Sequence, residues 1–173
     1  MITIEPPRST TTPADGWSAW GLSRIALTRF ANKARAAVGL HGEVEILLAH
    51  DATLRRLNRQ FRGKDKPTDV LSFPSPESFN HGHAGDLAIS LQTARRQAAE
   101  HGHTLAEELR ILLLHGLLHL AGMDHEVDSG EMAARESELR QTLKLPVGLI
   151  DRASNPLRKS EHPPRKRAKR VAA

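Results

Sequence analysis

The sequence predicts an α/β (α+β) protein in which a small mixed four-stranded sheet packs with about five helices. Three observations predict it: strand-like and helix-like segments are interspersed, two strand-like segments lie close enough in the chain to pair as a hairpin, and no segment repeats another. At 173 residues the chain has the length of one domain and can bury a sizeable core. Residues 1–151 are expected to form that domain and residues 152–173 a disordered basic tail.

MITIE alternates apolar and polar residues and suits a short strand, and PPRSTTTPADG reads as a loop. From Ser18 to Gly39 the residues Trp20, Ile25, Leu27, Phe30, Ala34 and Val38 recur at helical spacing, with Gly39 as a stop. EVEILLAH is strand-like. Asp51 is then placed to cap the helix ATLRRLNRQF, which Gly63 ends. KDKPT is a polar turn into the strand DVLSF, stopped by Pro74. PSPESFNHGHAG is a long loop, and DLAIS is the fourth strand. Two helices follow, Leu91 to His101 and Thr104 to Ala121, the second opened by a capping box of Thr104 and Glu107. After the turn GMDHEVDSG a last helix runs from Ser129 to Leu143.

Composition excludes several chemistries. There is no cysteine, so disulfides, thiolate nucleophiles and cysteine zinc sites are ruled out, and any metal must be held by His, Asp or Glu. Four Phe, two Trp and no Tyr cannot furnish the multi-aromatic platforms of RRM or OB-type readers. The N-terminus lacks a basic region followed by an apolar one, and the run Ile111 to Gly122 is short of a membrane span and broken by two histidines. A soluble, cytoplasmic protein is expected. The net charge of +5 is concentrated in RASNPLRKSEHPPRKRAKRVAA, which has eight basic residues and one acidic one. Such a tail would either add salt-dependent affinity for RNA or another polyanion, or serve only as a solvated extension.

The chemistry is concentrated in LLLHGLLHLAGMDHEVD. His115 and His119, four residues apart, share one face of a helix. Gly122 can end that helix in a left-handed conformation and let His125 return to the same point. His-x3-His-x2-Gly-x2-His is the metzincin zinc arrangement without its glutamate. Three imidazoles leave a fourth tetrahedral position for water, whose pKa on zinc falls to about 7. Single histidines on a helix are usually surface or hydrogen-bonded core residues, but three at this spacing among leucines are costly to desolvate without a ligand. Gly116 stands where a zincin peptidase carries its general base, so a peptidase would lack its proton acceptor. Phosphodiester hydrolysis asks less, since a metal hydroxide can attack phosphorus and a nearby cation can hold the developing charge.

LNRQFRGKDKPTDVLSFP offers that cation. Arg62 ends a helix, and Lys64 and Lys66 follow in the turn, a candidate phosphate clamp beside the alternative of a solvated helix end. Asp69 and Ser72 read as anchors of the turn and strand.

LNRQFRGKDKPTDVLSFP, GDLAIS and HGLLHLAGMDH, followed by a helix containing MAARESELR, together resemble the YbeY family of bacterial endoribonucleases, over roughly residues 44–144. The resemblance implies a single-strand-specific, metal-dependent endoribonuclease acting in 16S rRNA 3′-end maturation and late 70S ribosome quality control. It implies one zinc per subunit held by His115, His119 and His125, although three imidazoles also suit other divalent transition metals. It further implies a catalytic part for Arg62, and rRNA, single-stranded RNA and the small ribosomal subunit as partners. Where the family most often has HLLGYDH this chain has HLAGMDH, so Met123 removes an aromatic wall and a hydroxyl near the site. A metal-stabilised, non-catalytic ribosome assembly factor and a zincin-like peptidase are the competing readings. His81 and His83 read as residues of a flexible loop, the alternative being that they approach the metal or line the groove, and His101 and His103 as a turn between helices. Asp86 reads as structural, and Asp86, Asp124 and Glu126 are the candidates for hydrogen-bonding a ligand histidine.

Overall fold

The computed structural model describes residues 1–5, 16–76 and 82–146. The expected basic tail lies outside the described residues, as does His81. Among them the order is β1 (Ile2–Ile4), α1 (Gly16–Ala19), α2 (Arg24–Val38), β2 (Glu43–Ala49), α3 (Asp51–Arg62), β3 (Val70–Pro74), β4 (His83–Ser90), α4 (Leu91–His101), α5 (Leu105–Leu120) and α6 (Glu131–Leu143). The sheet runs β1-β2-β4-β3. Its first three strands are parallel, and β3 pairs antiparallel with β4 at the edge, so the sheet is mixed with one hairpin, as expected.

Among the described residues six helices stand where about five were expected, because the segment from Ser18 to Gly39 is not continuous. Gly21 takes a left-handed φ of 67° after α1, and Ser23 starts α2 anew, its hydroxyl accepting from the Ala26 N–H at 3.3 Å. Periodicity alone ran the two helices together, since Trp17 and Trp20 join the same core as Leu27. Asp51 is the first residue of α3 and not its cap. Its carboxylate instead accepts from the hydroxyls of Ser90 and Thr93 and from Arg96, tying the start of α3 to the start of α4. The strand expected over DLAIS begins earlier, so His83 belongs to β4 and not to a loop.

Strand alternation sends side chains to two faces. Val44, Ile46, Leu48, Leu87 and Ile89 meet α2, α4, α5 and α6 in the main core. Ala49, Leu71 and Ala88 meet Leu54 of α3 on the opposite face, with Leu57 and Phe73 at its margin. The sheet is therefore covered by several helices on one side and by α3 on the other. Gly116 brings α5 against it: a Cβ built there would lie 2.8 Å from Leu87 Cδ2 and 3.3 Å from Val70 Cγ2. Ser72 Oγ donates to the Gly116 carbonyl at 3.3 Å, pinning the edge strand to α5.

Candidate metal centre

Helix α5 is built to hold its last turn still. Thr104 accepts from the Glu107 N–H at 3.2 Å while Glu107 accepts from the Thr104 N–H at 2.8 Å, the expected capping box. Leu109, Ile111, Leu112, Leu113, Leu114, Leu117 and Leu118 are all buried, so α5 is anchored around most of its circumference. His115 and His119 therefore project from a rigid element. Beyond it the Gly122 N–H bonds the His119 carbonyl at 3.0 Å and the Met123 N–H bonds the Leu118 carbonyl at 3.1 Å. Gly122 adopts φ 86°, a conformation that costs glycine little, and the reversal returns His125 to the helix end.

The three imidazoles meet. Ring centroids are 4.7 Å apart for His115 and His119, 5.1 Å for His115 and His125, and 5.2 Å for His119 and His125. One nitrogen from each lies within 4.8 Å of the others. His115 Nε2 and His119 Nε2 face each other at 3.1 Å. Burial lowers the pKa of His119, the charges of His115 and His125 lower it further, and a backbone hydrogen bond with Met123 and the charge of Asp124 oppose them. The ring is thus kept neutral, the form that donates a lone pair. His125 Nδ1 is buried with no hydrogen-bond partner in the protein. Buried nitrogens are ordinarily paired, and an imidazole with an orphaned nitrogen, converging with two others, suits a donor set for a divalent transition metal.

Beyond the histidines the sequence reading missed the most informative residue, Glu136. From α6 its Oε1 lies 3.1 Å from His115 Nδ1, with 2 % of Glu136 and 4 % of His115 exposed. The carboxylate accepts Nδ1–H and so leaves the Nε2 lone pair facing the cluster. A signal was present. Glu136 lies in register with buried Met132, Leu139 and Leu143, a charge on the apolar stripe of its helix.

The residues suspected of that task do other things. Asp124 accepts from the Glu126 N–H at 3.0 Å, and exposed Asp86 pairs with His83 at 3.2 Å. Asp69 accepts from the Val70 N–H and from Gln97 Nε2, and so anchors the turn as expected. His101 ends α4, and His103 lies in the turn before α5, within 3.4 Å of buried Glu108. Met123 is half-buried against the main core.

Arg62, Lys64 and Lys66 are exposed at the end of α3 and in the following turn. Arg62 is the exposed last residue of α3, whose core residues pack on the sheet face opposite α5, and among the described residues no hydrogen bond or ion pair joins its guanidinium to the three histidines. It nevertheless belongs to the same end of the sheet. Phe61 packs edge-on against Phe73 of β3 at 5.0 Å, and Leu120 of α5 reaches Gly85, which pairs with Pro74 at that end of β3. Among the described residues no helix is long and apolar enough to cross a membrane.

A family model described as Endoribonuclease YbeY matches residues 18–144. The chain is 55% identical over 140 residues to an endoribonuclease YbeY of Koribacter versatilis, covering 81% of this chain and 90% of that one. It is 52% identical to one of Solibacter usitatus, covering 78% and 88%. A solution structure of a Thermotoga maritima protein superposes with a TM-score of 0.53 at 27% identity, covering 95% of this chain and all of that one. The three-histidine cluster at the end of a core helix thus sits within a chain that matches one family along most of its length, and this protein belongs to the YbeY family of endoribonucleases.

Proposed function

We propose that the protein hydrolyses phosphodiester bonds of single-stranded RNA at the histidine cluster, and that it acts in the cytoplasm in 16S rRNA 3′-end maturation and late 70S ribosome quality control. The observation that carries the reading is the convergence of His115, His119 and His125, which form a three-histidine set among the described residues. In this reading they hold one zinc or another divalent transition ion. Bound there, the ion supplies a Lewis acid that activates water and offsets phosphate charge.

The protein's own groups do the rest. Glu136 holds the His115 ring in one tautomer, and the low pKa of His119 keeps its lone pair available near neutral pH. The Arg62 guanidinium binds the phosphate and stabilises charge as it develops, with Lys64 and Lys66 contacting flanking phosphates. Gly116 weighs against peptide hydrolysis for a structural reason. Its position faces Leu87 and Val70 of the sheet, and even a Cβ is crowded there, so a glutamate would have to displace the Leu87 side chain from the core.

In the corresponding experiment, purified protein is incubated with single-stranded and structured RNA, with and without chelator, beside His115→Ala and Arg62→Ala. Wild type should cut single strands only when metal-loaded. His115→Ala should lose both metal and activity, and Arg62→Ala should lose activity with its metal retained. Equal cleavage by His115→Ala, or none by metal-loaded wild type, would sink the proposal.

A further inference from the structure

The outer face of α3 carries more positive charge than the structure uses. Arg55, Arg56, Arg59 and Arg62 are exposed on one helix of twelve residues, and Lys64 and Lys66 extend the series into the turn. A surface depression of about 580 Å³ lies along it, lined by Arg55, Arg56, Arg59, Asp51, Asp65 and Pro67. Its two carboxylates are spoken for. Asp65 takes Arg55 in a two-pronged pair at 2.8 Å for each contact, and Asp51 takes Arg96 at 2.9 Å together with Ser90 and Thr93. Arg56 and Arg59 make no salt bridge among the described residues, although the Arg59 charge also acts on Asp65, so the depression presents two guanidinium groups to an anion.

A second feature lies at the end of the same helix. Phe61 is 58 % exposed, although Phe73 braces its ring edge-on. An aromatic ring steadied by one neighbour and more than half exposed can receive an unpaired base, and such stacking does not depend on which base it is. Phe61 sits beside the edge strand β3, at the end of the sheet where α5 delivers the histidines on the other face.

We propose that α3 is a docking surface for the RNA strand flanking the cleaved bond: Arg56 and Arg59 hold phosphates, Phe61 stacks one unpaired base, and the strand then passes over the β3 edge towards the histidines. This rests on the reading of the histidine cluster as a single-strand RNA-cleaving site.

The test uses the full-length, metal-loaded chain and a 2′-O-methyl single-stranded oligonucleotide, which resists cleavage, with binding followed by fluorescence anisotropy across a potassium chloride series. The tail is present in every variant, so differences report on α3. Arg56→Ala with Arg59→Ala should lower the slope of log affinity against log salt by about 1.4, since each single-strand phosphate contact contributes about 0.7. Phe61→Ala should weaken single-strand binding roughly 5- to 100-fold, leave the salt slope unchanged and leave duplex binding unchanged; Phe61→Trp should restore the single strand. Wild-type slope and affinity in both variants, with cleavage by wild type intact, would overturn the docking surface and spare the cleavage site. Metal-loaded wild type that neither binds nor cuts single strands would overturn both.

Discussion

Replacing Glu136 by glutamine should weaken divalent metal binding about 10- to 100-fold. The carboxylate and His115 are almost dry, and their contact of 3.1 Å is to Nδ1, the nitrogen away from the cluster. Glutamine keeps the volume but loses the charge that makes Nδ1–H the settled tautomer and raises the donor strength of Nε2. Supporting partners of this kind are typically worth 10- to 100-fold in metal affinity, about 1.4–2.7 kcal/mol. Alanine should do worse, because it also strands a buried imidazole N–H, at about 1–3 kcal/mol of folding stability. The assay is competition for zinc against a chromophoric chelator, paired with urea denaturation of the metal-free protein. Nitrogen NMR of His115 adds a readout independent of activity, and should show mixed tautomers in the glutamine variant and one in wild type. Zinc affinity within twofold of wild type in both variants would refute the reasoning.

Other consequences of the structure are measurable with equal directness. Gly116→Ala places a methyl 2.8 Å from Leu87 Cδ2 at a helix–sheet contact, and should cost about 1–3 kcal/mol in urea denaturation while the metal site persists; an unchanged midpoint would contradict the packing. Burial opposes ionisation of Asp51, but hydrogen bonds from Ser90, Thr93 and Arg96 with the Arg96 charge outweigh it and hold its pKa below 3.8. The unfolded chain therefore binds that proton first, so this stabilisation is complete above about pH 3.8 and disappears as pH falls through the lower folded value. Asp51→Asn should be less stable at pH 6 by a margin that stays constant down to about pH 4 and closes in stronger acid; a margin that does not shrink between about pH 4 and pH 2 would contradict it. Deleting residues 154–173 should reduce the salt slope of RNA binding with zinc still bound, and an unchanged slope would leave the tail as a solvated extension.

Local rules carried the reading a long way. The capping box of Thr104 and Glu107, the reversal at Gly122 and the four-residue spacing of His115 and His119 depend on neighbours a few positions away, and each formed as the residues require. What escaped depends on partners distant in the chain. Glu136 looks like one more charge in EMAARESELRQTL until α6 lies across α5 and carries it to a histidine 21 residues earlier. Asp51 looks like a cap because the side chains that claim it, Ser90, Thr93 and Arg96, belong to another helix. Gly116 was legible as a missing base, whereas its contact with Leu87 and Val70 became visible only once the sheet was assembled. Arg62 shows the same limit. Its place at the end of α3 follows from Gly63, but the packing of α3 on the sheet face opposite α5 depends on strand order.

The function rests on whether His115, His119 and His125 together hold one metal ion. Anomalous diffraction from crystals grown with zinc addresses it most directly. A single peak is expected among the three imidazoles, with nitrogens at about 2.0–2.1 Å and one coordination position not taken by protein. No peak there, or zinc held by other residues with the three histidines hydrogen-bonded to one another, would contradict it.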